Sequence, residues 1–568
     1  MNHIHRIVWS AARGAFVVAH ELARSGGKTT TRTQSARLAP RTFAAQKAPV
    51  LALALAVCLA VAGAALPTTG WAQTTANALP SGGQIVGGSA AGNIATNGNA
   101  MTITQNQQRM VANWNSFSIG SAASVNFQQP TGGVALNRVT GSQPSEIFGR
   151  LTSNGSVYLV NPNGVLFGRT AQVDVGALVA STHNMTDADF MAGKAHFSGN
   201  GTTGSVVNEG QINTALGGYV ALLAPEVRNN GVIVARMGTV AMAAGDAVEL
   251  QFDGGKLANV RVDAATIATL IENKSAVQAP DGQIILSAPA VSKLQASAIK
   301  NTGTLDASSL TLKGGRIVLT ADHIELGSTS VIDASGATGG GTVLVGGDWQ
   351  GSNGVYQATS VSMEAGAKID ASAKQSGDGG KVVLWSDIHN PESITQVDGE
   401  VRATGGNLSG DGGKVETSGA SVDVGASMRV DTTALAGKTG LWLIDPYDYT
   451  IGATQASTIA TALGTTDVTI DTGVNNSSHG SAGSSAGAGH ISIASPIRAI
   501  NGHNLTLNAA GAVSIGVGAT VDPAETRGFI DFQNTGAFSV TGSGITLAAN
   551  VVTGGAQTYT GPVTVGAT

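Results

Sequence analysis

Apolar residues along this chain fall in short runs of four or five, many opened by glycine and bounded by Asn, Asp, Ser or Thr. Gly218-Tyr219-Val220-Ala221-Leu222, Gly238-Thr239-Val240-Ala241-Met242, Gly315-Arg316-Ile317-Val318-Leu319 and Gly380-Lys381-Val382-Val383-Leu384 are the clearest. Each is preceded by a turn-and-strand phrase, such as Asn208-Glu209-Gly210-Gln211-Ile212, Asn230-Gly231-Val232-Ile233, Asn301-Thr302-Gly303-Thr304-Leu305 or Ala365-Gly366-Ala367-Lys368-Ile369. Runs of this length, rich in Val, Ile and Leu, predict buried strands, and a repeat of about 20 to about 45 residues with inserted loops predicts a solenoid. The expected fold is therefore all-β, a right-handed parallel β-helix in which each coil buries its inward side chains only against its neighbours. Two segments read as minor helical decorations: Met185–Ala195, with Thr186 as N-cap and Asp187 and Asp189 in the first turn, and Asp263–Asn273, with Ile267, Leu270 and Ile271 at helical spacing. Residues 92–105 alternate like an edge strand, which is expected to cap the first coil.

The densest signal is Val157–Gly168, Val-Tyr-Leu-Val-Asn-Pro-Asn-Gly-Val-Leu-Phe-Gly. Asn161 suits the first position of a β-turn, Pro162 presets φ for the second, Asn163 tolerates the third and Gly164 suits the fourth. Both flanking arms are apolar throughout, so both are expected to be buried. Around this corner stand Trp114-Asn115-Ser116-Phe117, Val125-Asn126-Phe127, Leu136-Asn137-Arg138-Val139, Pro144-Ser145-Glu146-Ile147-Phe148-Gly149, Val175–Thr182 and Gly217–Pro225. This ordered set closely resembles the N-terminal two-partner secretion (haemagglutination activity) domain of filamentous-haemagglutinin-like exoproteins of Gram-negative bacteria. An Asn-Pro-Asn-Gly-Ile block is a hallmark of that family, and Val165 stands here in place of the Ile. The Asn-Pro-Asn-Leu block of some members has no counterpart, which leaves the subgroup open.

The first residues change the picture of where the chain works. Residues 1–47 hold eight basic side chains and one acid, Glu21, leaving a formal net charge of −12 beyond them. So acidic a remainder argues against nucleic-acid binding, which needs clustered Lys and Arg. The basic spacer leads into Val50–Leu66, an uninterrupted apolar run, and Gly70-Trp71-Ala72 places small residues at the −3 and −1 positions of a cleavage site. Residues 1–72 are thus expected to be an extended signal peptide, cut between Ala72 and Gln73. The single cysteine, Cys58, lies in the leader, so the remaining chain has no thiol. Residues 73–300 are expected to form the secretion domain and 301–440 further β-helix repeats. Residues 441–568 are expected to carry further β-solenoid repeats, with the aromatic cluster Gly440–Ile451 read as a packed boundary. Val474–Gly489 is expected to be a flexible loop, and Thr558–Val565 reads as half of a further, truncated repeat.

Candidate chemistry is sparse. Asp306, Asp333 and Asp370 lie in Ile/Leu-Asp-Ala phrases, and Asp378 and Asp411 lie in Gly-Asp-Gly-Gly-Lys phrases, all readable as solenoid corners. His183, His196, His323 and His389 are scattered without metal-ligand spacing. We therefore expect no enzyme, no metal and no cofactor. The resemblance implies instead a secreted, surface-associated adhesin that crosses the inner membrane by the general secretory translocon. A dedicated outer-membrane transporter with periplasmic domains would then read Asn161, Pro162, Asn163 and Gly164, and the exported rod would meet a receptor on a host or bacterial surface. Two alternatives stand beside it: the stalk of a cytolysin or contact-dependent toxin whose active domain lies beyond residue 568, and a carbohydrate-active β-helix enzyme.

Overall fold

The structure, a computed structural model, describes residues 5–10, 15–20, 74–88, 92–199, 201, 203–291, 297–473, 488–500, 502–518 and 527–566. The Val50–Leu66 run, the Ala72/Gln73 cleavage site and nearly all of the Val474–Gly489 loop lie outside these residues. The chain divides into two units, Met1–Ala72 and Gln73–Thr568. In the first, His5–Ser10 and Ala15–His20 pair antiparallel.

The second unit is a parallel β-helix built from coils of three strands. Ser156–Val160 turns a corner into Val165–Phe167, which turns into Gln172–Val175, and the chain returns in Ala177–Ser181, stacked in parallel on Ser156–Val160 with Leu178 opposite Val157. Repetition yields a central sheet running from Arg109–Trp114 to Gln557–Thr560, flanked by a 13-stranded and a 10-stranded sheet. Successive coils differ in length only through what is inserted between strands, so Val220 faces Val240 while Val240 faces Ile284. Val157, Leu159, Leu178, Ala180, Val220 and Leu222 point inward into one continuous core.

The alternate side chains of the same strands, Tyr158, Val160, Val179, Ala221 and Leu223, face outward yet are also buried. Insertions cover them: a short helix, α1 (Asp187–Met191), and the antiparallel strands His196–Ser198, Ala247–Asp253 and Lys256–Asp263. Strands covered on both faces need unbroken apolar runs, which is why Val157–Val160 shows no polar alternation. Thr186 caps α1 by accepting the Asp189 amide, and Phe190 packs edge-on to Tyr158. The helix expected over Asp263–Asn273 does not form. Leu270–Asn273 is a strand of the 10-stranded sheet, where Ile271 and Asn273 alternate inward and Ile267 remains in solvent. Stacking on a preformed coil outweighs local helical spacing there. The expected edge strand over residues 92–105 is a hairpin, Gly92–Asn97 with Ala100–Gln105, because Asn97-Gly98 reverses the chain at a positive φ. Its second strand caps the stack by pairing with Ser124–Gln128.

Near residue 430 the two flanking sheets end, at Ser421–Val424 and Arg429–Asp431, while the central sheet continues through Leu441–Asp445 and Asp467–Asp471. Helix α2 (Ala453–Ala462) packs Ala456, Ile459 and Ala462 into the core at this point, and Tyr449–Ile451 opens a new five-stranded sheet. Before the boundary, one corner repeats a single solution. A Cβ on Gly315 would lie 2.0 Å from the Gly282 carbonyl oxygen, on Gly380 2.1 Å from Gly341, on Gly413 2.2 Å from Gly380 and on Gly440 2.0 Å from Gly413. Glycine opens each central strand because the coil below leaves no room for a side chain.

Candidate functional site

The Asn161–Gly164 corner joins a central strand to a strand of the 10-stranded sheet. The Gly164 amide donates to the Asn161 carbonyl at 3.0 Å, closing the turn, and Gly164 sits at φ 117°, where glycine avoids the strain of a side chain. Asn161 is fully buried and saturated: its Nδ2 donates to the Gln143 carbonyl and to Ser145 Oγ, both at 3.0 Å, while its Oδ1 accepts the Asn163 amide and Asn163 Nδ2, both at 3.0 Å. Asn163 is exposed and also reaches the Gly141 carbonyl at 2.9 Å. From the coil above, the Ser181 carbonyl accepts the Asn161 amide at 2.9 Å, and a Cβ on Gly204 would lie 2.5 Å from the Pro162 oxygen. All four residues expected at this site are thus adjacent, but they differ in access: Asn163 is exposed, with its Nδ2 bound to the Gly141 carbonyl and to Asn161 Oδ1, and Asn161 is locked between coils.

Other acids take structural places. Asp306, Asp333 and Asp370 each accept the amide two residues onward, and Asp378 accepts the Asp411 amide as Asp411 accepts that of Lys438. No group of three or more His, Cys, Asp or Glu is placed to hold a metal among the described residues. Glu416, buried on the outer face of the central sheet, has its carboxyl pushed up to about 8, chiefly by burial; the Gln350 amide, donating at 2.9 Å, opposes the rise and Asp445 adds to it. The Asp348–Gly351 turn covers it, held by the Lys381–Asp348 pair and by Lys414 over the Trp349 ring at 4.2 Å.

Sequence reasoning missed an inner column. Asn208 Nδ2 donates to Asn229 Oδ1 at 2.8 Å, Asn229 to Asn273 at 2.8 Å, Asn273 to Asn301 at 2.7 Å and Asn301 to Ser330 Oγ at 2.6 Å, every one of these Asn residues fully buried. Three of the four Asn lie two residues before a glycine, which is the available signal.

Comparison with known proteins places this architecture. Residues 76–334 match the TPS secretion domain model, and residues 1–50 match the Extended Signal Peptide of Type V secretion system. Two heme/hemopexin-binding proteins of Haemophilus influenzae are 34% identical over 275 residues and 29% identical over 270 residues, spanning 46% and 44% of this chain. The chain covers only 30% and 29% of the length of those relatives. The crystal structure of the HMW1 secretion domain from Haemophilus influenzae superposes with a TM-score of 0.51 at 29% identity, covering 64% of this chain and 100% of that one. Residues 76–334 are thus a TPS secretion domain behind an extended signal peptide, which marks the chain as a secreted protein exported by Gram-negative bacteria.

Proposed function

We propose that this protein is a surface-associated adhesin, exported by the general secretory translocon and then by a dedicated outer-membrane transporter whose periplasmic domains read Asn161–Gly164, and that it works by binding and not by catalysis. The observation that carries the export reading is the turn itself, a saturated Asn-Pro-Asn-Gly corner inside the matched secretion domain, with Asn163 exposed at its tip. The coils beyond residue 334 continue the same stack and supply the display surface. Both relatives are named as binding proteins, which agrees with a binding role; heme and hemopexin remain attributes of those relatives.

The test separates reading from folding. Asn161→Ala removes a saturated buried side chain and is expected to cost about 1–3 kcal/mol. Asn163→Ala removes an exposed one and is expected to cost under ~1 kcal/mol. Each variant is co-expressed with the partner transporter, secreted and periplasmic protein are quantified, and denaturant midpoints are measured on refolded material. Secretion of Asn163→Ala is expected to fall severalfold at nearly unchanged stability. Normal secretion of that variant would remove the turn from the recognition step.

A further inference from the structure

The glycine corner has an outer side. Two hollows of about 520 and 660 Å³ lie along it and meet at Thr342. Together they run from Gly217 and Gly238 past Gly282, Gly315, Gly341, Gly380 and Gly413 to Leu441 and Asp467, one coil after another. Because Gly238, Gly282, Gly315, Gly341, Gly380 and Gly413 have no room for a Cβ, the floor of the furrow along them is bare backbone. One wall is the first column of the central sheet, where Gln283, Arg316, Thr342, Lys381 and Lys414 succeed one another in register. The other wall is formed by the loops that enter the corner, which bring Lys313, Asp378 and Asp411.

The chemistry of these walls is mixed. Lys313, Arg316, Asp378, Asp411 and Lys414 are exposed, and Lys313, Arg316 and Lys414 form no ion pair among the described residues. Asp378 and Asp411 each spend one carboxylate oxygen on a backbone amide of the next coil. Cationic donors and carboxylate acceptors therefore both face the furrow, on coils stacked ~4.8 Å apart. Such a surface offers few apolar pockets for peptide side chains, and its five Lys and Arg against four Asp leave a positive excess of only one, too little to hold a polyanion. It suits a polymer whose every unit carries hydroxyls that both donate and accept, and whose unit length is close to the coil spacing.

We propose that this furrow binds an extended, uncharged glycan chain, about one sugar ring per coil. The proposal deepens the adhesin reading and rests on it, since it names the chemical class of the receptor. Thr342, half-buried at the junction of the two hollows, is the position to block. Thr342→Trp fills the furrow from an outward-facing strand position, and the double variant Lys313→Ala/Arg316→Ala trims exposed side chains without touching the core.

Secreted wild-type and variant proteins are applied to an immobilised oligosaccharide array holding neutral hexose and N-acetylhexosamine chains, uronate chains and sulfated chains of several lengths, and to cultured epithelial cells. Neutral chains should be retained, longer ones better, with little sensitivity to salt. Binding should weaken about tenfold or more in Thr342→Trp and severalfold in the double variant, at unchanged melting temperature for the latter. Retention of no glycan, or equal binding by wild type and the double variant, overturns the furrow as the site. Retention only of sulfated or uronate chains, abolished by salt, overturns the uncharged ligand. If wild type and both variants adhere to cells equally, the furrow fails and the adhesin reading stands; if wild type adheres to no cell or surface, the adhesin reading itself fails.

Discussion

The coils before residue 330 and those after it meet the same requirement, holding one coil in register on the next, with opposite chemistry. In the earlier region the Asn208–Asn229–Asn273–Asn301 column does so inside the helix, with neutral amides passing hydrogen bonds upward. In the later region the same inner position is apolar, with Leu326 opposite Asn301 and Met363 opposite Leu326, and the bonds move outside to Asp378, Asp411 and the amide of Lys438. Location decides which residue serves. A carboxylate inside the stack would lose its hydration without gaining a cation, whereas one in solvent keeps its hydration and still accepts an amide. Asparagine offers both a donor and an acceptor and carries no charge, so it can be stacked indefinitely in the interior.

The largest effect should come from carrying the outer solution inside. Asn229→Asp keeps shape and size but buries an uncompensated charge and deletes the donor to Asn273, so a loss of about 3 kcal/mol or more is expected at neutral pH. Denaturant midpoints should recover as pH falls, because the buried carboxyl is then neutral; a midpoint that ignores pH would show that the column tolerates charge.

Glu416 is nature's own version of that experiment, a carboxyl buried under the Asp348–Gly351 turn. Its folded-state value, about 8, lies above the ordinary range, so the folded chain holds a proton that the unfolded chain has released. Stability from this group is fully present below the unfolded value of 4.5 and is lost as pH rises toward about 8. Glu416→Gln keeps an acceptor for the Gln350 amide, and thermal melts should show wild type losing stability relative to the variant between pH 5 and about pH 9. Parallel melting curves for the two proteins across that range would overturn the assignment.

The smallest effect is expected from the reverse exchange. Asp411→Asn leaves an oxygen to accept the Lys438 amide in an exposed loop, so its cost should stay under ~1 kcal/mol. A loss as large as that of Asn229→Asp would break the distinction between inner and outer ladders.

The coil pattern was legible in the linear chain because it depends on neighbouring residues alone. Gly-led apolar runs are buried central strands, Asn161-Pro162-Asn163-Gly164 is a closed turn, and Thr186 caps a helix. What remained hidden depends on which residue lies above which. The phrase Asn229-Asn230-Gly231 offered two asparagines, and only stacking on Asn208 and under Asn273 selects Asn229 for the column. Asp263–Asn273 has helical spacing, yet Leu270–Asn273 becomes a strand because the coil below presents an open edge to it. Glu416 has no local signature, and it is buried by a turn from the coil two earlier that folds over it. The local periodicity of the sequence determined that there would be coils and where most of them turn; only the tertiary structure decided what each side chain meets, since insertions of variable length set the register between residues far apart in the chain.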